Sequence, residues 1–250
     1  MIMKKILFTL LILSLINSSV TAETNAPKLA EEKSVVPNEF INIPFKKYVY
    51  ENGLTLIITE DHTNPLVYVD VTYKVGASRE LPGQSGFAHF FEHLMFEGTQ
   101  NLSKSQFYKM LPEAYSNFNG ATYSDFTRYY ELIPKNYLET ALWMEADRML
   151  NIGNSITLEK LNLQRKIVIN EKYEKSLNVP YGIIDELVNQ KLYPKNHPYA
   201  WPTIGYIKDL KAATVDDMKL FFYKWYCPNN AIITISGDVK SEEVVQFVTK

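Results

Sequence analysis

Residues 86–99 read Gly86-Phe87-Ala88-His89-Phe90-Phe91-Glu92-His93-Leu94-Met95-Phe96-Glu97-Gly98-Thr99. Residues 87–96 have helical character. On a helix turning about 100° per residue, His93 lies about 40° from His89, and Glu92 lies about 60° to the other side. The three side chains therefore share one sector, while Phe90 and Phe91 turn into a core. Two imidazoles one turn apart suit a single Zn²⁺, and the carboxylate between them can take a proton from an attacking water without being a ligand. The order H-x-x-E-H is the inverted form of the more familiar H-E-x-x-H, which does not occur in this chain. Two hydrogen-bonded histidines on an ordinary helix would be the plain alternative. It is the weaker one, because Gly86 and Ala88 lighten the surroundings of the pair.

Working outward from this helix, the preceding residues 48–74 are strand-like. Tyr48-Val49-Tyr50 and Leu54-Thr55-Leu56-Ile57-Ile58 flank Asn52-Gly53, a strong hairpin signal. Residues 66–73 alternate and are β-branched, and Pro82-Gly83 and Gly86 then break the chain. After the helix come a second short helix near 104–111 and two strands within 115–133. Residues 135–189 are helical in pattern: Leu138, Leu142, Met149 and Leu150 stripe one helix, and another runs over about 158–173. An amphipathic helix at 215–225, a short buried strand at 231–236 and a helix starting at 241 follow. Strands at both ends with helices between them indicate an α+β domain.

The 250 residues hold 28 acidic and 26 basic side chains. Residues 1–22 divide into a positive start, an uncharged apolar run at 6–16 and small residues ending at Ala22, the three parts of a removable signal peptide. An eleven-residue apolar run spans only about half a bilayer core, so a membrane anchor is the weaker reading. Without this leader and its two lysines, 24 basic groups face 28 acidic ones. That balance argues against a nucleic-acid binder, which needs a basic face. An exported protein is expected, in the periplasm or secreted, with a polar and flexible lead-in at 23–38 and a domain at 39–250.

Cys227 is the only cysteine, so any metal must be held by His, Asp or Glu, and the histidines number four. His62 and His197 both read as loop residues. A helical carboxylate is the better third ligand. Glu171 follows Ile167 by four residues and Val168 by three, on an apolar stripe where a carboxylate needs a partner, and Gln164 shares that face two turns earlier. Glu171 paired with a lysine on a solvated face stays open as an alternative. Glu174 lies on a more polar face.

The 86–99 stretch resembles the signature of the insulinase-like M16 (pitrilysin) metallopeptidases. It is most similar to bacterial exported zinc proteases related to mitochondrial processing peptidase. Val75-Gly76-Ala77-Ser78-Arg79-Glu80, Asn119-Gly120-Ala121-Thr122 with Asp125, Thr127 and Tyr129, Gln164-Arg165 to Glu171, Asn196-His197-Pro198-Tyr199, and Pro228-Asn229-Asn230-Ala231 with Gly237-Asp238 agree in order. The resemblance covers residues 45–250. It implies a mixed, largely antiparallel sheet packed against helices, one zinc per chain, and endopeptidase activity on peptides or unfolded polypeptides. His89, His93 and Glu171 would be the ligands and Glu92 the base. Residues 119–122 would be the edge strand that pairs with substrate. Many relatives carry a glutamate where this chain has Gln164, which puts a carboxylate role around the metal in doubt there. Such relatives have two similar halves, and this chain matches the first. A second M16-like half or subunit is therefore the expected partner. A non-catalytic or partner-dependent subunit is the rival function.

Overall fold

The computed structural model describes residues 26–34, 42–113 and 117–250. The signal peptide read at 1–22 lies outside them. A seven-stranded sheet is built from β1 (Lys28–Lys33), β2 (Phe45–Val49), β3 (Thr55–Glu60), β4 (Leu66–Tyr73), β5 (Asn117–Thr122), β6 (Thr127–Pro134) and β7 (Ala231–Gly237), in the order β1-β2-β3-β7-β4-β6-β5. Only the β3–β7 pair is parallel; every other neighbour is antiparallel. The helices are α1 (Phe87–Leu94), α2 (Lys104–Glu113), α3 (Leu138–Ser155), α4 (Leu158–Lys172), α5 (Ile184–Leu192), α6 (Ile207–Ala212), α7 (Val215–Trp225) and α8 (Ser241–Thr249). The α+β reading, with a mixed and mostly antiparallel sheet against helices, is what the fold has.

Period-two alternation sends one face of the sheet into the core. Val67, Val69, Val71 and Tyr73 of β4, Tyr129 and Ile133 of β6, and Ile235 of β7 are fully buried on the helix-covered side. The opposite face carries polar pairs such as Asp70 with Arg128. Helix α1 lies inside this layer rather than on it. Phe87, Phe90 and Phe91 are buried, and Phe91 stacks on Phe221, Phe222 and Tyr226. Burying each such ring is worth about 1.5–3 kcal/mol, so α1 is firmly seated.

Two expectations need correction. Residues 28–33 of the expected flexible lead-in form the edge strand β1 instead, paired with β2. Edge pairing uses backbone groups, so the exposed Lys-Leu-Ala-Glu-Glu-Lys needs no apolar pattern to join, and Glu31 adds an ion pair with Lys47 at 3.8 Å. On α3, Leu138 and Leu142 are buried but Leu150 is 65% exposed. The buried face runs instead through Met144, Glu145, Arg148 and Ile152. Arg148 pairs with Glu145 and lies over the rings of Tyr129, Phe96 and Phe107, which satisfies a charge that a sequence pattern assigns to the surface. Burial pushes the carboxyls of Glu145 and its neighbour Glu131 upward.

Candidate active site

His89 and His93 project from α1 towards α4, one turn apart, with ring centroids separated by 4.9 Å. Glu171, in the last turn of α4, meets them: its Oε2 is 3.2 Å from His93 Nε2 and 3.6 Å from His89 Nε2. One donor atom from each of the three lies within 4.8 Å of the others. Glu171 Oε2 is buried and makes no hydrogen bond of ordinary geometry. Its other oxygen, Oε1, accepts from Lys175 Nζ at 2.7 Å. The adjacent His93 ring, with Lys175 assisting, holds the Glu171 carboxyl down at about 2. Burial, reinforced by His93, lowers His89 to about 4. His89 is therefore neutral at pH 7 and its nitrogen is free to coordinate. Two imidazoles and an ionised carboxylate with an unpartnered buried oxygen fit a zinc ion by type.

Glu92 shares the sector with the histidines but joins a different neighbour. Thr122 Oγ1, on β5, donates to Glu92 Oε2 at 2.6 Å. Burial raises the Glu92 carboxyl above its ordinary range, and the Thr122 bond partly opposes this. Gly120 lets the strand approach: a Cβ there would stand 2.9 Å from Glu92 Cγ and 3.2 Å from Phe96 Cε2. Among the described residues, strand β5, which holds residues 119–122, is the outer strand on its side of the sheet. Gly120 N–H donates to Asn119 Oδ1 at 2.9 Å. Beside these groups a cavity of about 350 Å³ is lined by Glu92, His93, Phe96, Tyr108, Phe118 and Asn119.

The other sequence candidates lie elsewhere. His62 Nδ1 bonds Asp238 at 2.7 Å, His197 stacks on Tyr193, and Glu174 is exposed. Gln164 is buried, but its Nε2 donates to Glu97 at 2.6 Å rather than to either histidine. The stripe argument for Glu171 holds through Val168, which is fully buried, and not through Ile167, which is 40% exposed.

Sequence reasoning placed Thr122 only on the substrate strand and did not place Lys175 or Glu80 beside these residues. Lys175 was legible as an i,i+4 partner of Glu171. Glu80 is buried against the start of α1, where its Oε1 accepts from Ala88 N–H and its Oε2 from Gly86 N–H, each at 2.9 Å, and from the indole of Trp201 at 3.0 Å. Burial raises the Glu80 carboxyl, while the three N–H donors around it favour its ionised form. A cavity of about 590 Å³ opens near that point between Ser85, Trp201 and Tyr206, and none of His89, Glu92, His93 or Glu171 lines it.

Comparison with known proteins gives this geometry a family. The chain is 32% identical over 201 residues to the zinc protease PqqE of Helicobacter pylori, covering 80% of this chain and 45% of that protein. The crystal structure of a protease from Helicobacter pylori superposes with a TM-score of 0.78 at 30% identity, over 82% of this chain and 49% of the other. A peptidase M16 inactive domain from Pseudomonas fluorescens shares the fold at 17% identity and a TM-score of 0.74, over 82% of this chain and 49% of that one. The chain thus spans about half the length of the relatives it matches. Residues 55–202 match the model of the insulinase family, and by that match the chain belongs to peptidase family M16.

Proposed function

We propose that this chain is the metal-bearing half of a zinc metalloendopeptidase. The observation that carries the reading is the meeting of His89, His93 and Glu171 within 4.8 Å, with Glu92 beside the two histidines on α1. His89, His93 and Glu171 would hold the ion. Zinc, when bound, supplies Lewis acidity, bringing the pKa of a coordinated water to about 7 and polarising a carbonyl. Glu92, whose Oε2 accepts from Thr122, would take a proton from the attacking water as its oxygen bonds to the carbonyl carbon, and deliver that proton to the nitrogen as the C–N bond breaks. Its raised carboxyl makes it a stronger base than an exposed glutamate. The substrate would be an extended peptide added to the free edge of β5 at residues 119–122, in exchange for the Gly120–Asn119 contact. The cavity formed by Phe96, Tyr108 and Phe118 would accept an apolar side chain next to the cleaved bond.

Purified chain should carry close to one zinc, and His93→Ala should lose it. Glu92→Gln should keep zinc and lose turnover. Equal zinc content in the wild type and in the double variant His89→Ala/His93→Ala would sink the reading.

A second reading is that the chain turns over only with a second M16-like half. The apolar face of α5 favours it: Ile184, Leu187, Val188 and Leu192 are 47–69% exposed and await a cover. Export rests on the leader-like residues 1–22. N-terminal sequencing of exported protein should find Glu23 first, and a retained Met1 would refute export by this route.

A further inference from the structure

Glu80 takes no part in the chemistry above, yet its carboxylate is spent on the helix that carries it. Helix α1 begins with orphan N–H groups, as all helices do, and its N-cap residue is Gly86, which has no side chain to cap them. The reason for glycine there is close contact. Gly86 and Gly205 meet backbone to backbone, so that a Cβ on Gly86 would stand 2.8 Å from Gly205 Cα. With residue 86 unable to cap, Glu80 does so from six residues upstream, taking the N–H groups of Gly86 and Ala88.

The same region reaches the second ligand-bearing helix. Trp201 donates its indole N–H to Glu80 and also to Ala77 O at 3.1 Å. Gly205 O, against Gly86, accepts from Lys172 Nζ at 2.7 Å, and Lys172 is the neighbour of Glu171 on α4. Ser85 donates to Asp209 at 2.6 Å and accepts from Tyr206 N–H at 2.9 Å. Residues 201–209 therefore touch the start of α1 and the end of α4 together. Metal ligands on two separate helices need relative placement to within about 0.5 Å, and these contacts tie the two helices a second time, beside the direct packing of α1 on α4.

We propose that Glu80, through its bonds to Gly86, Ala88 and Trp201, is a positioning residue that sets where His89 and His93 stand relative to Glu171; this rests on the reading of those three as a zinc site. A buried carboxylate is costly, and a simple polar cap would hold the helix end as well. Glu80 adds a link to Trp201, 121 residues away in sequence.

Glu80→Gln keeps the shape but turns one acceptor into an NH₂ group facing an N–H donor. Two measurements on the purified chain test the role: zinc affinity by competition with a chromophoric chelator, and the visible spectrum of the cobalt-loaded protein, which reports ligand geometry. Zinc affinity is expected to fall by about 10–100-fold, the usual cost of removing a group that orients metal ligands, and the cobalt bands to shift. Thr214→Ala, which removes the cap of α7, serves as a control for stability alone and should leave both readings unchanged. Should Glu80→Gln fail to fold, Trp201→Phe removes the indole donor to Glu80, together with its bond to Ala77 O and part of the ring, and should move both readings in the same direction by a smaller amount. Wild-type affinity and an unshifted cobalt spectrum in either folded variant would overturn the role of Glu80 and leave the zinc site standing. A wild-type chain that binds neither metal would overturn the site itself.

Discussion

The tightest contact in the proposed site is between β5 and the base, and Gly120→Ala tests it. A methyl group at residue 120 would stand 2.9 Å from Glu92 Cγ, 3.2 Å from Phe96 Cε2 and 3.4 Å from Tyr129 Cδ1. Ordinary carbon–carbon contact is about 3.5 Å, so the Glu92 stem must retreat by about 0.6 Å or β5 must lift by as much. Phe96 and Tyr129 are packed with Arg148 behind them, which leaves Glu92 as the group that yields. Its bond from Thr122, now 2.6 Å, would stretch past about 3.2 Å and weaken. Misplacing a reacting group by about 1 Å can cost about 10²-fold, so a loss of about 10–100-fold in kcat/KM is expected. Zinc content should not change, because the three atoms nearest the new methyl belong to Glu92, Phe96 and Tyr129 and not to a proposed ligand. The assay compares kcat/KM on an unstructured peptide, and zinc content, for wild type and variant from parallel preparations. Unchanged turnover would refute the claim that β5 positions Glu92. Loss of zinc along with turnover would show that the strand supports the metal site instead.

Stability of the metal-stripped chain should fall with acid. His89 titrates at about 4 in the fold against an ordinary 6.5, so the unfolded chain takes the proton first; stability is full above pH 6.5 and is lost as pH drops through 4. That interval corresponds to about 3 kcal/mol, and urea unfolding of His89→Gln should show a flatter dependence between those pH values; equal slopes would refute it. Ala121→Pro should weaken binding of an extended peptide without removing zinc, since proline on a strand edge blocks pairing, and competition binding checks this. Mixing the chain with a separately made M16-like second half should raise peptide turnover at least about tenfold, or about 1.4 kcal/mol in barrier, as read by each half alone and then together.

The grouping of His89, His93 and Glu171 was legible where chemistry and helical period coincide. Glu92 is set apart from His89 and His93 by angle alone, and the structure gives it a different neighbour, Thr122. Glu171 could be found because it stands near a buried stripe, although that stripe, Leu161-Gln164-Val168-Lys172, is half polar. What stayed hidden was whatever depends on partners far along the chain. Glu80 looks like one more surface acid until Gly86, Ala88 and Trp201 surround it. Arg148 and Glu145 look like an exposed i,i+3 pair, and only the rings above them make them interior. Strand β1 was invisible for the opposite reason: its contribution is backbone pairing, and its side chains carry no pattern to read.

Residues 117–122, Asn-Phe-Asn-Gly-Ala-Thr, join the proposed acts of binding and catalysis. Small side chains let β5 lie close over α1, and Gly120 and Thr122 are the points of contact with Glu92. The free edge of the same strand is where a peptide would pair, and register along a strand is fixed by backbone bonds. A peptide paired there is placed relative to the strand that holds the base. The ligands are placed by different contacts, at the start of α1 and the end of α4. On this proposal, base and substrate would share one reference, β5, while the three ligands would share another, residues 201–209. Glu92 and His93 are adjacent on α1, so that helix must bring both references into register. Its buried phenylalanines and its borrowed cap serve that requirement. A change that loosens α1 should therefore impair metal affinity and turnover together, whereas a change confined to β5 should impair turnover alone.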